Sequence, residues 1–170
     1  MNESKLNQFV IFKIGRETYA LNTTYIVRIE NDKKVRPIPN VRKEIKGIIT
    51  VEEDIVPLVD LRTKFQIVSD KEQDIPFIIV CKLREEEIVV GFIVDEVIEV
   101  IEIPENAKLS NINDVITGTA TEYIQGIYRP DTEKEKEENH DEELLIILNV
   151  NKLLGLEMTE EVKAITDIHN

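Results

Sequence analysis

The chain is 170 residues long and carries a formal net charge of −13 at pH 7. Such an acidic balance argues against a nucleic-acid-binding protein, which needs clustered Lys and Arg, and against docking on an anionic membrane. A single cysteine, an N-terminus without a signal-peptide pattern and no apolar run near the ~20 residues of a membrane span predict a cytoplasmic protein without disulfides or membrane insertion.

Short strands dominate the first half of the chain. Apolar and β-branched runs between turn signals predict strands over residues 9–14, 18–21, 24–30, 35–38, 47–51 and 54–60, and a short helix or turn over 61–65. The first two strands flank Gly15-Arg16-Glu17, which predicts a hairpin. The last two flank Glu52-Glu53, which predicts a hairpin with a charged tip.

The second half continues in the same style. Further strands are predicted over residues 76–83, 88–94, 123–129 and 144–150, while 94–103 fits either a helix or a strand. The run 130–143 is too charged to pack and predicts a flexible acidic loop, whose deletion should leave the fold intact. Thr159 is expected to cap a last helix that ends at Ile168.

One sequence pattern occurs twice. When Asp60 is aligned with Asn149, residues 54–65 match residues 143–154 without a gap, and residues 45–48 match 124–127. Repetition of a supersecondary unit predicts two similar lobes.

The strand pattern predicts an all-β fold with a few short helices. Two echoing halves make this two small barrels, and each alone is too small for a strong core, so a core shared between them is expected. We expect one domain over residues 8–156, with a first lobe near 22–80 and a second near 83–150. The pattern does not assign strand 8–15 to either lobe, and 157–170 is expected to be a tail or a short helix.

The sequence offers little for covalent chemistry. The only histidines, His140 and His169, stand in the charged run and next to the C-terminus, where a general base would lack rigid support. Neither they nor Cys81 show metal-ligand spacing, and there is no phosphate-binding or dinucleotide-binding glycine motif. We therefore expect no metal and no cofactor.

Carboxylates are plentiful but have simple structural explanations. Asp60 and Asp95 stand at strand ends, where aspartate readily accepts from backbone N–H groups, and Glu52 belongs to the charged hairpin tip. A small hydrolase with paired carboxylates remains the less favoured alternative. Binding, through strand edges and apolar grooves, is the favoured activity.

Five sequence elements together resemble the CheW-type chemotaxis coupling proteins. They are QFVIFKIG with YAL at 8–21, Pro39 with IKGII at 45–49, IVPLVDLR at 55–62, GFIVDEV at 91–97, and YIQG at 123–126 followed by LIILNVNKLL at 145–154. Any one element is weak, but five in order are specific, and the resemblance runs from about residue 8 to 156.

The resemblance implies two SH3-like five-stranded β-barrels and a non-enzymatic adaptor. Such proteins connect the tip of a methyl-accepting chemoreceptor to the regulatory domain of the histidine kinase CheA. The receptor tip, a helical hairpin, is expected in an apolar groove between the barrels.

The resemblance also implies contact residues. The receptor-binding groove is expected to include Ile26, Arg28, Ile29, Ile48, Val51 and Glu52. Contacts to CheA-like domains are expected from barrel-end loops near Gly47, Gly91 and Gly126.

The chain departs from the family pattern at one pair of charges. The family usually reads Asn-Leu-Arg-Gly where this chain has Thr50-Val51-Glu52-Glu53, and often has Glu at the position of Arg28. We hypothesise that Arg28 and Glu52 lie on neighbouring strands as an ion pair with exchanged ends; two unrelated surface charges are the alternative. The exchange reverses the charge offered to a receptor. This reversal favours a non-standard receptor partner. Separately, a detached module that binds CheA regulatory domains without a receptor is the alternative function.

Overall fold

The computed structural model describes residues 7–67, 75–83, 85, 87–110, 122–130 and 144–168. The expected acidic loop lies outside this part of the chain except for Pro130. The described strands are β1 (Gln8–Ile14), β2 (Glu17–Asn22), β3 (Ile26–Asn31), β4 (Ile45–Val51), β5 (Asp54–Asp60), β6 (Phe77–Leu83), β7 (Ile88–Val94), β8 (Glu96–Glu102), β9 (Ile124–Tyr128) and β10 (Leu145–Leu148). Two α-helices, α1 (Leu61–Lys64) and α2 (Gly155–Ile168), are described with them.

The strands form two five-stranded sheets with the same topology. The first lobe has the order β3-β6-β7-β5-β4, and the second has the order β8-β1-β2-β10-β9. In each, one neighbouring pair is parallel, β5 with β7 and β10 with β2, and the other pairs are antiparallel. The expected all-β fold of two similar lobes is confirmed.

The lobe boundaries differ from those expected. Strand β7 belongs to the first lobe, because it forms a continuous antiparallel hairpin with β6 from Leu83↔Ile88 to Phe77↔Val94. The chain changes sheet at Asp95, between β7 and β8, rather than near residue 80. Strand β1, which the sequence left unassigned, pairs with β2 and β8 in the second lobe.

The sequence repeat corresponds to matching backbone conformations. Asp60 precedes α1 with φ −85° and ψ 109°, and Asn149 precedes a 3-10 turn with φ −91° and ψ 103°. A few residues later, Gln66 and Gly155 both adopt left-handed conformations, with φ of 57° and 73°. The two copies therefore remain equivalent up to the point where α2 begins.

Apolar side chains fill three cores. Each lobe has its own core, and a larger cluster between the lobes joins side chains of both sheets with α2. The members of this interlobe core include Phe12, Tyr19, Leu21, Ile48, Val59, Cys81, Val90, Phe92, Leu148, Met158, Val162 and Ile165. The shared core is where each small lobe gains the burial that it lacks alone.

The structure decides the ambiguous segment near residues 94–103 and corrects the expected start of the last helix. Residues 96–102 form strand β8, which pairs with β1, so the ambiguous segment is not a helix. Helix α2 begins at Gly155, and Thr159 is not its cap, because the Thr159 hydroxyl lies within the helix and donates to the Gly155 carbonyl at 2.6 Å. Val162 and Ile165 are buried as expected.

Candidate interaction surface

The outer strands β3 and β8 expose apolar side chains at equivalent positions. Val27 and Ile29 on β3 are 56% and 41% exposed, and Ile98 and Val100 on β8 are 42% and 56% exposed. Both strands carry an irregularity at the first residue of each pair, where the register shifts. Recurrence of the same exposed apolar pair on two sheet edges indicates an interaction surface rather than scattered exposure.

Both outer strands border the interlobe core. Tyr25 just before β3, Ile26 at the start of β3 and Val97 on β8 are half-buried and pack against that core. A ligand on this side would thus contact a rigid base. Sequence reasoning found Ile26 and Ile29 but missed Val27, Ile98 and Val100. Comparison of EVIEVIE at 96–102 with IVRIEN at 26–31 is the signal that could have identified Ile98 and Val100.

The residues expected to line one groove do not share one face. Arg28, Val51 and Glu52 border a small cavity of about 300 Å³ in the first lobe. Ile29, the next residue after Arg28, is exposed to solvent. Ile48 instead lies in the interlobe core, while Val51 lies in the core of the first lobe. Strand side chains alternate between faces, so Ile48 and Val51, three positions apart on β4, point in opposite directions.

The second barrel has a matching cavity. It measures about 530 Å³ and is bordered by Ile98 and Glu99, the counterparts of Val27 and Arg28. The charges differ, because the first cavity carries Arg28 where the second carries Glu99. The two cavities therefore occupy equivalent positions but differ in volume and in the sign of this one charge.

Arg28 and Glu52 lie within ion-pair reach, but they are not on neighbouring strands as hypothesised: Arg28 is on β3, Glu52 is in the β4–β5 turn, and β3 and β4 stand at opposite ends of the sheet order. Arg28 Nη2 is 4.0 Å from Glu52 Oε1, and Arg28 Nε is 3.4 Å from Glu30 Oε1. The Glu52 side chain is 78% exposed, so its attraction to Arg28 is well screened. Glu30 is the closer partner, and the pair with Glu52 contributes orientation more than stability.

Glu52 also has an unusual backbone conformation. It is the first residue of the two-residue turn between β4 and β5, and its φ is 58°. This left-handed conformation favours glycine, because a Cβ crowds the backbone there. The charged tip is therefore held in a strained conformation.

The three glycines expected on barrel-end loops lie inside strands and are buried. A Cβ on Gly91 would be 2.6 Å from Leu58 Cδ2, and one on Gly47 would be 2.3 Å from the Arg36 carbonyl oxygen. A Cβ on Gly126 would lie 2.9 Å from Leu109 Cβ. The glycines permit close packing and cannot themselves contact a partner.

Exposed residues next to two of these glycines are available for contact. The register of the β4–β5 and β9–β10 pairs shifts just before Gly47 and Gly126, which leaves Lys46 and Gln125 as extra, exposed residues. Such bulges re-aim side chains at the ends of barrels.

The carboxylates at the strand ends belong to a buried ionic cluster. Arg62 contacts both oxygens of Asp60, at 2.9 Å and 3.0 Å, and its Nη1 lies 3.2 Å from Asp95 Oδ1. Asp95 Oδ2 accepts from the Gly15 N–H at 2.7 Å. Burial is the largest single effect on Arg62 and acts to lower its pKa, but hydrogen bonds and charges of Asp60 and Asp95 outweigh it and raise the pKa.

The cluster removes the basis for the hydrolase alternative. Asp60 is 2% exposed and bound to Arg62, whereas Glu52 is at the exposed hairpin tip, so the two carboxylates do not share a pocket. Desolvation raises the pKa of the buried Cys81 thiol, which keeps it protonated. His140 and His169 lie outside the described residues. The described residues contain no cluster of three or more His, Cys, Asp and Glu side chains able to hold a metal ion.

The protein has two fused β lobes with apolar side chains exposed on the outer strands. Its buried charged groups, Asp60, Arg62 and Asp95, are paired with one another. These features are those of a binding module. Among the described helices, none has the length and apolarity to cross a membrane.

Comparison with known proteins identifies the family. The chain matches the CheW-like domain over residues 8–158. It is 29% identical over 153 residues to the chemotaxis protein CheW of Treponema pallidum, which covers 87% of this chain and 82% of that protein. It is 33% identical over 104 residues to the chemotaxis protein CheW of Thermotoga maritima, covering 61% of this chain and 67% of that protein.

A solved structure agrees. The crystal structure of the scaffolding protein CheW of Thermoanaerobacter tengcongensis matches with a TM-score of 0.72 at 26% identity, covering 89% of this chain and 90% of that one. The chain therefore belongs to the CheW-like family of chemotaxis coupling proteins, which have two SH3-like lobes and are adaptors rather than enzymes.

Proposed function

We propose that this chain connects chemoreceptor tips in the cytoplasm to the regulatory domain of the histidine kinase CheA. The observation that carries the proposal is the pair of equivalent apolar outer strands on a CheW-like fold. Val27 and Ile29 on β3 are exposed beside Arg28, and Ile26 at the start of the strand rests on the interlobe core. An apolar strip with adjacent charges suits one face of an amphipathic helix.

The receptor tip is assigned to the β3 side of the first lobe. Ile29, Arg28 and Glu52 are exposed there and are the groups able to make direct contact. Ile48 and Val51 are buried, in the interlobe core and in the core of the first lobe, so they are not among the contacting groups. Reversal of the usual charges at Arg28 and Glu52 selects a receptor with the matching reversed pattern, since like charges placed together oppose binding.

The contacts to CheA are assigned to the barrel ends. Lys46 and Gln125, exposed at the bulges beside Gly47 and Gly126, replace the buried glycines as the contacting groups. Gly91 keeps a supporting role, because its lack of a side chain lets β7 pack against Leu58 and Ile78.

Separate titrations with a receptor-tip fragment and with a CheA regulatory domain test the proposal. Ile29→Glu should weaken receptor-tip binding by about tenfold or more, because it places a charge in the apolar contact. The same substitution should leave binding to the CheA domain unchanged. Leu156→Glu is a matched control, since Leu156 is also an exposed apolar residue, 78% exposed on α2. Failure to bind either partner would refute the adaptor function.

The exchanged charges also favour a second candidate, a module that binds CheA regulatory domains but no receptor. Glu52 replaces the positive charge usual in the family next to the receptor surface. Binding to the CheA domain alone would establish this candidate, and binding to both would dismiss it.

A further inference from the structure

A third cavity lies on the second lobe, between β2, β9, β10 and the residues that follow α1. Its volume of about 450 Å³ is in the range of small-molecule sites in proteins, about 300–1,000 Å³. Its base is closed, because Tyr19, Ile127 and Leu148 are buried, whereas Phe65 and Ile124 are half-buried. A closed base with partly exposed sides describes a pocket for a small molecule rather than a groove for a protein segment.

Three aromatic rings form a row along this cavity. The ring centroids of Tyr19 and Phe65 are 5.6 Å apart, and those of Phe65 and Tyr123 are 5.9 Å apart. The planes of neighbouring rings differ by 29° and 25°, so the rings are stacked. All three residues line the cavity. The row therefore gives the cavity a stiff apolar wall.

The faces of these rings are already occupied. Tyr19 stacks on Phe12 as well as on Phe65, and Tyr123 stacks on Phe65 and lies under Lys64, whose Nζ is 4.6 Å from the ring centroid. The rings thus present their edges to the cavity. Ring edges carry partial positive charge and pack well against the face of another aromatic ring. This wall fits a flat aromatic group laid against it.

The mouth of the cavity carries a negative charge. Glu17 is exposed and is the one charged residue in the described lining. Glu17 and Tyr19 are two positions apart on β2, so their side chains lie on the same face of the strand. Among the described residues, Glu17 forms no ion pair within 4 Å. Its carboxylate is therefore available to attract a cationic group, and it repels an anionic one.

The charge of Glu17 also acts on the wall of the cavity. Burial, assisted by this charge, raises the pKa of Tyr19 to about 12. The Tyr19 phenol consequently keeps its proton at neutral pH, and its oxygen can accept a hydrogen bond from an ammonium group. Both polar groups at this end of the aromatic row suit a cation.

We propose that this cavity binds a small molecule with an aromatic ring and an ammonium group. The ring lies against the edges of the aromatic row, and the ammonium group pairs with Glu17 at the mouth. This activity goes beyond the adaptor function. Ile29, Lys46 and Gln125, which are assigned to the protein partners, are not among the described lining residues, so loss of small-molecule binding can be distinguished from loss of adaptor binding.

Naphthylethylamine is a suitable probe, because it carries both groups and its fluorescence can be followed in a chain without tryptophan. Fluorescence anisotropy should detect its binding to the full chain. Naphthylacetate has the same ring with a carboxylate, and it should bind about tenfold more weakly because Glu17 repels it. Equal affinity for the two probes, or no binding of the amine by the unaltered chain, would overturn the proposal.

Glu17→Gln should weaken binding of naphthylethylamine by about threefold, a modest loss because water screens an exposed charge pair. Glu102→Gln is the matched control, since Glu102 is an exposed glutamate on β8 of the same lobe and lines a different cavity. It should leave binding of the amine unchanged. Equal losses in the two variants would show a general effect of net charge and would count against a site at Glu17.

Ile124→Phe tests the location independently of charge. The larger side chain would fill part of the cavity and should weaken binding of both probes by about tenfold. Phenylalanine is well tolerated in strands, and circular dichroism checks that the variant remains folded. Unchanged binding of both probes by the folded variant would place them elsewhere on the protein and refute the assignment.

Discussion

Arg62 Nη1 lies 3.2 Å from Asp95 Oδ1, and both side chains are buried where the chain passes from the first lobe to the second. Arg62 follows the last strand residue of the first copy, Asp60, and Asp95 separates β7 from β8. Through its other oxygen, Asp95 holds the N–H of Gly15 in the β1–β2 turn. One guanidinium and two carboxylates thus connect both sheets.

Replacing Arg62 by Met should strongly destabilise the protein. The change leaves the carboxylates of Asp60 and Asp95 buried without their cation, which costs about 3–5 kcal/mol in the free energy of unfolding. Urea unfolding followed by circular dichroism measures the loss. Adding Asp60→Asn and Asp95→Asn to Arg62→Met should recover part of it, since the buried charges are then gone. A triple variant no more stable than the single one would contradict this explanation.

Stability at alkaline pH should depend on Tyr19. Burial, assisted by the charge of Glu17, raises the pKa of Tyr19 from 10.0 to about 12 in the folded protein. The folded state therefore keeps its proton more tightly than the unfolded state. The stabilisation is complete below pH 10 and falls as the pH rises through about 12, with roughly 2–3 kcal/mol at stake.

Urea unfolding at a series of pH values from 8 upward measures this dependence. Tyr19→Phe should unfold with a flatter pH dependence above pH 10 than the unaltered chain. Identical profiles for the two proteins would show that Tyr19 does not govern the alkaline loss.

Gly91 and Ala20 occupy equivalent positions in the two lobes. Gly91→Ala and Ala20→Gly should nevertheless lower the free energy of unfolding by different amounts. Gly91→Ala should destabilise by about 1–3 kcal/mol, because its Cβ would lie 2.6 Å from Leu58 Cδ2 and 2.7 Å from Ile78 Cγ2. Ala20→Gly should cost only about 0.5–1 kcal/mol, from added chain freedom and a lost methyl group. Thermal unfolding compares the two. A larger loss at Ala20 would contradict the close packing at Gly91.

Glu52→Gly should stabilise the β4–β5 turn. The φ of 58° costs a residue with a Cβ about 1 kcal/mol, whereas the exposed pair with Arg28 contributes little. We expect a gain of about 0.5–1 kcal/mol in the free energy of unfolding. The neighbouring residue provides a control, since Glu53 is not among the residues with positive φ and Glu53→Gly should give no gain. Equal effects at both positions would argue against strain at Glu52.

The repeat could be read from sequence because local chemistry repeats with it. Asp60 and Asn149 both end a strand and begin a helical turn, and aliphatic residues precede both at matching positions. The fold class and the shared core followed from that pattern. Exposed Ile29 and Arg28 could be assigned to a surface because the resemblance placed them there.

Sheet membership and several site residues could not be read in this way. The first lobe is contained between β2 and β8 of the second, and linear order does not reveal where a chain changes sheet. The strand pattern predicts Gly91 inside strand 88–94, whereas the resemblance assigns it to a kinase-binding loop, and neither shows that Leu58 and Ile78 lie opposite it. The Arg62–Asp95 pair joins residues whose separation in sequence hides their contact.

The strands of the first lobe lie in sequence between β2 and β8 of the second lobe, and this order has a consequence for biosynthesis. As the nascent chain leaves the ribosome, β3 to β7 emerge as an uninterrupted unit and can pair while translation continues. Strands β1 and β2 emerge before them but must wait for β8 and β10, the neighbours that complete their sheet. Helix α2, which covers the early-folding lobe, emerges last. Ribosome-bound chains halted before β8 should therefore contain one complete sheet, formed by β3 to β7, and a β1–β2 hairpin that lacks its neighbouring strands. In this state the apolar face of β1 is exposed to chaperones.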